Sequence, residues 1–85
     1  MDLQVKLSDI PIGNPVTVCQ VTGASDNARH LMDLGFTSGA IVRPLFAAAA
    51  GSPVAYSVRG SVLALRRSDS DLIFVYPCTG KGDRA

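Results

Sequence analysis

The sequence predicts a small, mainly β fold: a partly open barrel of about five short strands, with one short helix inserted after the first of them. Three observations lead there. Stretches rich in β-branched residues alternate apolar and polar positions along much of the chain, the period of half-buried strands. One stretch, after the first of these, carries helical spacing behind a helix start signal. At 85 residues, an all-β chain manages its unpaired edges most readily by curling into a barrel.

The first strand is read over residues 15–21 (P-V-T-V-C-Q-V), where Val16 and Val18 alternate with Thr17 and Cys19. The alternation slips before Val21, which predicts a bulge near Cys19 and Gln20. Ser25, Asp26 and Asn27 are N-cap residue types. After them Ala28, Leu31, Met32 and Gly35 fall at i, i+3, i+4 and i+7, the apolar stripe of a short helix. Gly35 follows Leu34 where a left-handed residue ends a helix. So short a helix cannot persist alone and must pack on the sheet. Residues 40–46 (A-I-V-R-P-L-F) read as the second strand, with Pro44 at an edge or a bulge because it has no N–H.

Ala47, Ala48, Ala49 and Ala50 run into Gly51, Ser52 and Pro53 and are read as a loop. Val54, Tyr56 and Val58 then alternate with Ala55, Ser57 and Arg59, and residues 62–65 put Leu63 and Leu65 on one face. These two strands form a hairpin turning at Arg59, Gly60 and Ser61, with glycine supplying the positive φ. Ser68, Asp69, Ser70 and Asp71 have capping-box spacing, with Asp in place of Glu, for one helical turn. Residues 72–76 (L-I-F-V-Y) are the last strand. Residues 1–76 make a single domain, and 77–85 are expected to be a flexible tail. A single turn between fourth and fifth strands suits an SH3-like barrel; an OB-type barrel of similar size is the alternative.

Composition narrows the function. Hydrophobic residues are 47% of the chain, charged residues 18%, and the formal net charge is +1. Disorder needs the opposite balance, and a protein whose main work is holding nucleic acid is usually strongly basic. There is one His, two Cys and no Trp, and every acidic residue is Asp. Few active sites can be built from that stock, so no enzyme and no cofactor are expected. Cys19 and Cys78 lie far apart in no metal-type spacing, which is not a disulfide framework. The N-terminus lacks a signal peptide pattern, and no apolar run approaches the roughly 20 residues that span a bilayer. A cytoplasmic protein with reduced thiols and no membrane insertion is expected.

The remaining candidates each have a plain reading. His30 flanks the apolar stripe, and as a metal ligand it could be joined only by Asp33, another Asp, or a Cys. Asp33 is close enough to hydrogen-bond it, but no nucleophile elbow or oxyanion loop is recognisable. Asp33 also sits near a helix C-terminus, where the dipole disfavours anions, and Arg29 four residues earlier can offset this. A residue tolerated there points mildly to an outside partner. Asp69 and Asp71 read as helix-start acids. Arg43, Arg59, Arg66 and Arg67 could meet phosphates, as in an RNA-binding barrel, but no aromatic residues are interleaved for base stacking. No phosphate-binding glycine loop is present. The four alanines are apolar where loops are usually polar, a candidate contact surface for another protein. The residues describe a binding module.

The order of motifs is similar to one family. The stretch A-R-H-L-M-D-L-G-F-T-S-G-A-I-V resembles the R-L-x-x-L-G-h-x-x-G-x-x-V element (h apolar) of FeoA proteins. S-P-V-A-Y-S-V-R-G-S-V-L-A-L-R-R-S-D-S-D-L-I-F-V resembles that family's run from its D-P pair through R-G and A-L-R. L-S-D-I-P-I-G-N-P-V-T-V fits its opening, so the resemblance spans residues 7–75. It implies an SH3-like barrel that docks on FeoB, the membrane GTPase that imports Fe(II), with no catalytic residue and no nucleic acid. A weak homo-oligomer is compatible with it. Carried over, Leu31, Leu34, Gly35, Gly39 and Val42 mark the helix, its exit and the next strand. Pro53, Arg59, Gly60, Ala64, Leu65 and Arg66 mark the hairpin, and all these are read as mainly structural. Arg29, Asp33 and the four alanines are the candidate partner contacts. Ser52 replaces the family's usual Asp, and Ser70 its usual Ala. The same module closes iron-dependent repressors of the diphtheria-toxin-repressor type, so a metal-sensing domain is the alternative.

Overall fold

The computed structural model describes residues 3–77. Its strands are β1 (Val5–Lys6), β2 (Val16–Val21), β3 (Ile41–Ala47), β4 (Val54–Val58), β5 (Ser61–Leu65) and β6 (Ile73–Pro77). Helix α1 (Asp26–Asp33) joins β2 to β3, helix α2 (Arg67–Ser70) joins β5 to β6, and a 3-10 turn at Leu7–Asp9 follows β1. One antiparallel sheet runs in the order β1–β6–β2–β3–β4–β5. The five strands expected are therefore joined by a sixth, β1, only two residues long and too short to show a period.

Both irregularities fall where the sequence places them. The β2–β6 register shifts between Val18 and Gln20, and the β3–β4 register shifts between Pro44 and Phe46. At the second, proline's missing donor is tolerated because the ladder is already interrupted. β6 runs one residue into the expected tail, with Pro77 opposite Val16; the rest of that tail, 78–85, lies outside the described residues.

α1 begins where the Ser25 hydroxyl accepts the Ala28 N–H at 3.1 Å. It ends in a Schellman motif: Phe36 N–H reaches the Leu31 carbonyl at 3.1 Å, and Gly35 N–H reaches that of Met32 at 3.1 Å. Gly35 takes the required positive φ, +119°. The buried face differs from the predicted stripe: Ala28 and Leu31 are buried, but Met32 is 42% exposed. Phe36, just past the helix, is fully buried instead. The Schellman turn reverses the chain so that Phe36 packs where another helical turn would have gone.

The core draws on every long strand: Val16, Val18, Val42, Tyr56, Val58, Leu65, Ile73 and Val75, with Leu7 beneath the 3-10 turn. Burying each such aliphatic side chain contributes about 1.5–3 kcal/mol. α2 departs from its predicted start. Arg66, without a side-chain cap, occupies the N-cap position, and the Ser52 hydroxyl from the β3–β4 turn accepts the Arg67 N–H at 3.3 Å. The capping box expected at Ser68 is not formed because the helix starts two residues earlier.

Candidate functional site

The two glycine-containing motifs meet through one side chain. Val58 pairs with Ser61, leaving Arg59 and Gly60 as a two-residue turn with φ of +50° and +80°. Positive φ at both positions is the type I′ pattern that matches strand twist. For a non-glycine residue that conformation costs on the order of 1–2 kcal/mol, and contacts elsewhere offset it. Arg59 Nε donates to the Gly35 carbonyl at 3.4 Å, and its Nη2 donates to Thr37 Oγ1 at 3.0 Å. A Cβ at Gly35 would stand 3.1 Å from Arg59 Cδ. Arg59 thus ties the exit of α1 to the β4–β5 turn, over a backbone whose positive φ suits glycine and where a Cβ would press on the arginine side chain.

Beside this clamp lies a cleft of about 390 Å³. His30, Leu31 and Leu34 line it from α1, and Ala64, Leu65 and Arg66 from the end of β5. Asp69, in the first turn of α2, stands at its margin. Successive side chains of a strand point to opposite faces. A cavity touching both Ala64 and Leu65, and Arg66 beyond them, therefore lies at the C-terminal end of β5 and reaches its edge. The volume is within the range of small-ligand and peptide sites.

A polar cluster holds α2, whose Ser68 and Asp69 adjoin the cleft. Ser8 donates to Asp71, and the Ser70 hydroxyl returns to the Arg66 and Arg67 carbonyls at 3.4 and 3.3 Å. Ser70 also bonds the hydroxyl of buried Tyr56. Burial pushes the Tyr56 hydroxyl above the ordinary tyrosine value, and the Asp71 charge adds to the rise while the Ser70 bond opposes it.

The structure separates the candidate partner contacts. Arg29 and Asp33 are exposed on α1 but do not line the cleft. Nor do they form the expected ion pair: among the described residues the recorded pair is Arg67–Asp9 at 3.9 Å. Ala47 belongs to β3 and pairs with Val54, so the loop begins at Ala48. Ala48, Ala49 and Ala50 are exposed in a turn closed by Ala48 N–H to the Pro53 carbonyl, 3.0 Å. Among the described residues no three His, Cys, Asp or Glu side chains come together, so His30 and Asp33 gather no metal-ligand set there. Cys19 donates to the Tyr76 hydroxyl at 3.2 Å; Cys78 lies outside the described residues.

Of the motif residues, Leu31, Val42 and Leu65 are core and Leu34 half-buried, whereas Ala64 and Arg66 are exposed. Packing explains the first group and not the second. The cleft itself was missed in the sequence because its walls are 30 residues apart. The one signal for it was an arginine following a strand whose polar-facing positions are Val62 and Ala64.

Residues 5–77 match the family profile described as the FeoA domain. The solution structure of the FeoA protein from Chlorobium tepidum is 31% identical, with TM-score 0.82 over 94% of this chain and 76% of that one. The zinc-complexed FeoA of Stenotrophomonas maltophilia is 29% identical, with TM-score 0.77 over 84% of this chain and 88% of that one. That protein is described as an SH3-domain protein and a candidate ferrous iron transport activating factor. A manganese-dependent transcriptional repressor shares the fold alone: 15% identity, TM-score 0.80, over 91% of this chain and 43% of that one. Among curated proteins the chain has no match.

Proposed function

This chain belongs to the FeoA family of SH3-like ferrous iron transport proteins, and from that premise we propose that it docks on a FeoB-type membrane GTPase and modulates Fe(II) uptake from the cytoplasm. The observation that carries this reading is the family match over nearly the whole chain, residues 5–77. The residues agree with it. Chemistry-bearing side chains are scarce, while exposed apolar residues and a cleft at a strand edge are what a docking module needs. No helix among the described residues is long and apolar enough to cross a membrane, so the protein would reach the bilayer through its partner. The metal-sensing alternative gains no support from the donor set of the described residues, since a structural zinc site gathers four ligands and among those residues no three converge.

Co-purification with the transporter, alongside Fe(II) uptake in a strain lacking this gene, tests the proposal. Retention on the transporter and reduced uptake are expected. Unchanged uptake with no retention would overturn it.

A further inference from the structure

Both ends of the sheet are edges, and only one is guarded. β1 is two residues long, and shortness is itself protection against pairing with another chain. β5 has five residues, S-V-L-A-L, with no charge, no proline and no register shift against β4. None of the usual guards against strand addition is present.

The register shows which groups that edge offers. A two-residue turn makes Val58 and Ser61 a hydrogen-bonded pair, and the alternation repeats at Tyr56 with Leu63 and Val54 with Leu65. The N–H and C=O of Val62 and Ala64 therefore point away from β4, toward the open side. There the cleft supplies an apolar floor, Leu31, Leu34 and Leu65. On the sheet's outer face, a row Phe46–Ala55–Ala64 crosses β3, β4 and β5, and Phe46 and Val62 are 63% and 62% exposed. An added strand would extend that row outside while placing alternate side chains on the leucines inside. At its end, Arg66 is exposed and enters no ion pair recorded among the described residues.

We propose that the free edge of β5 is a strand-addition site: an extended segment of a partner protein, apolar at alternate positions and ending in a carboxylate, pairs with Val62 and Ala64 and fills the cleft between β5 and α1. Charge selects this occupant over a second copy of the chain. Antiparallel pairing of two β5 strands about Leu63 would bring the end of β5 that leads into Arg66 and Arg67 toward the turn holding Arg59 in the other copy, gathering like charges. A carboxylate beside Arg66 meets an opposite charge, although Asp69 lines the same cleft. The inference rests on the docking reading and gives that docking a location.

Two probes are titrated into the full-length protein and followed by amide NMR and hydrogen exchange. One is the cytosolic part of the transporter. The other is a capped nonapeptide of alternating valine and threonine ending in aspartate, with a lysine-ended counterpart. Binding is expected to slow exchange at Val62 and Ala64 at least 10-fold, with the aspartate peptide preferred. Ala64→Pro removes the outward N–H without taking a donor from the ladder to β4 and is expected to weaken binding at least 10-fold. Should that variant fail to fold, Arg66→Glu, at an exposed position, is expected to reverse the peptide preference. Transporter binding with protection elsewhere would overturn this inference and leave the docking reading intact. Peptide binding at β5 without transporter binding would do the reverse. Binding of neither probe, or a dimer that Ala64→Pro dissociates, would overturn the strand-addition site.

Discussion

β5 and β6 are strands of five residues each, both largely apolar, and they behave oppositely. β6 lies between β1 and β2, with Ile73 and Val75 fully buried. β5 has one neighbour, and only Leu65 among its residues is buried. Composition does not separate them; the number of flanking strands does. A strand paired on both sides is part of the wall, whereas one paired on a single side retains backbone donors and acceptors for something else.

Substitutions sharpen this contrast in descending order of effect. Ile73→Ala in β6 empties space in a packed interior and is expected to cost about 2–5 kcal/mol in denaturant unfolding; under 1 kcal/mol would mean that β6 is not the centre of the core. Gly35→Ala forces a side chain into positive φ at +119° and against Arg59, at a cost of about 1–3 kcal/mol. Its effect should shrink when combined with Arg59→Ala, since one contact is shared; full additivity would show that the clamp is unimportant. Arg59→Ala alone should cost about 1 kcal/mol from two lost hydrogen bonds.

Tyr56 offers a pH test of the same wall. Its neutral form is favoured in the fold, so its contribution is complete below the ordinary value of 10.0 and is lost as pH rises through and above it. Stability of the native sequence should therefore fall more steeply above that pH than stability of Tyr56→Phe. Parallel pH profiles would contradict the burial of the hydroxyl. At the bottom of the scale, Val62→Ala on β5 should change stability by no more than about 0.5 kcal/mol. A large loss there would mean that the β5 edge is structurally committed and unavailable to a partner.

Where local rules governed, the sequence was readable. The Ser25 cap, the Gly35 stop, the β2 bulge and the irregularity at Pro44 each follow from one residue's donors, acceptors or φ. Where two distant segments set the outcome, reading failed. Met32 has the spacing of a buried residue, yet the Schellman turn hands its place to Phe36. The start of α2 depends on Ser52, fifteen positions away, which no local pattern contains. Arg29 and Asp33 have the spacing of an ion pair that long, solvated side chains have little reason to hold.

The sequence by itself determined the class of fold, five of the six strands, the single inserted helix and the family. Each of these is written in periodicities and turn residues that act within a few positions. Only the tertiary structure decided that Arg59 bridges two motifs, that α1 faces the end of β5 across a cleft, and that β5 is left with an open edge. Those facts depend on which strands become neighbours, and sheet order is set by burial summed over the whole chain, not by any stretch of it.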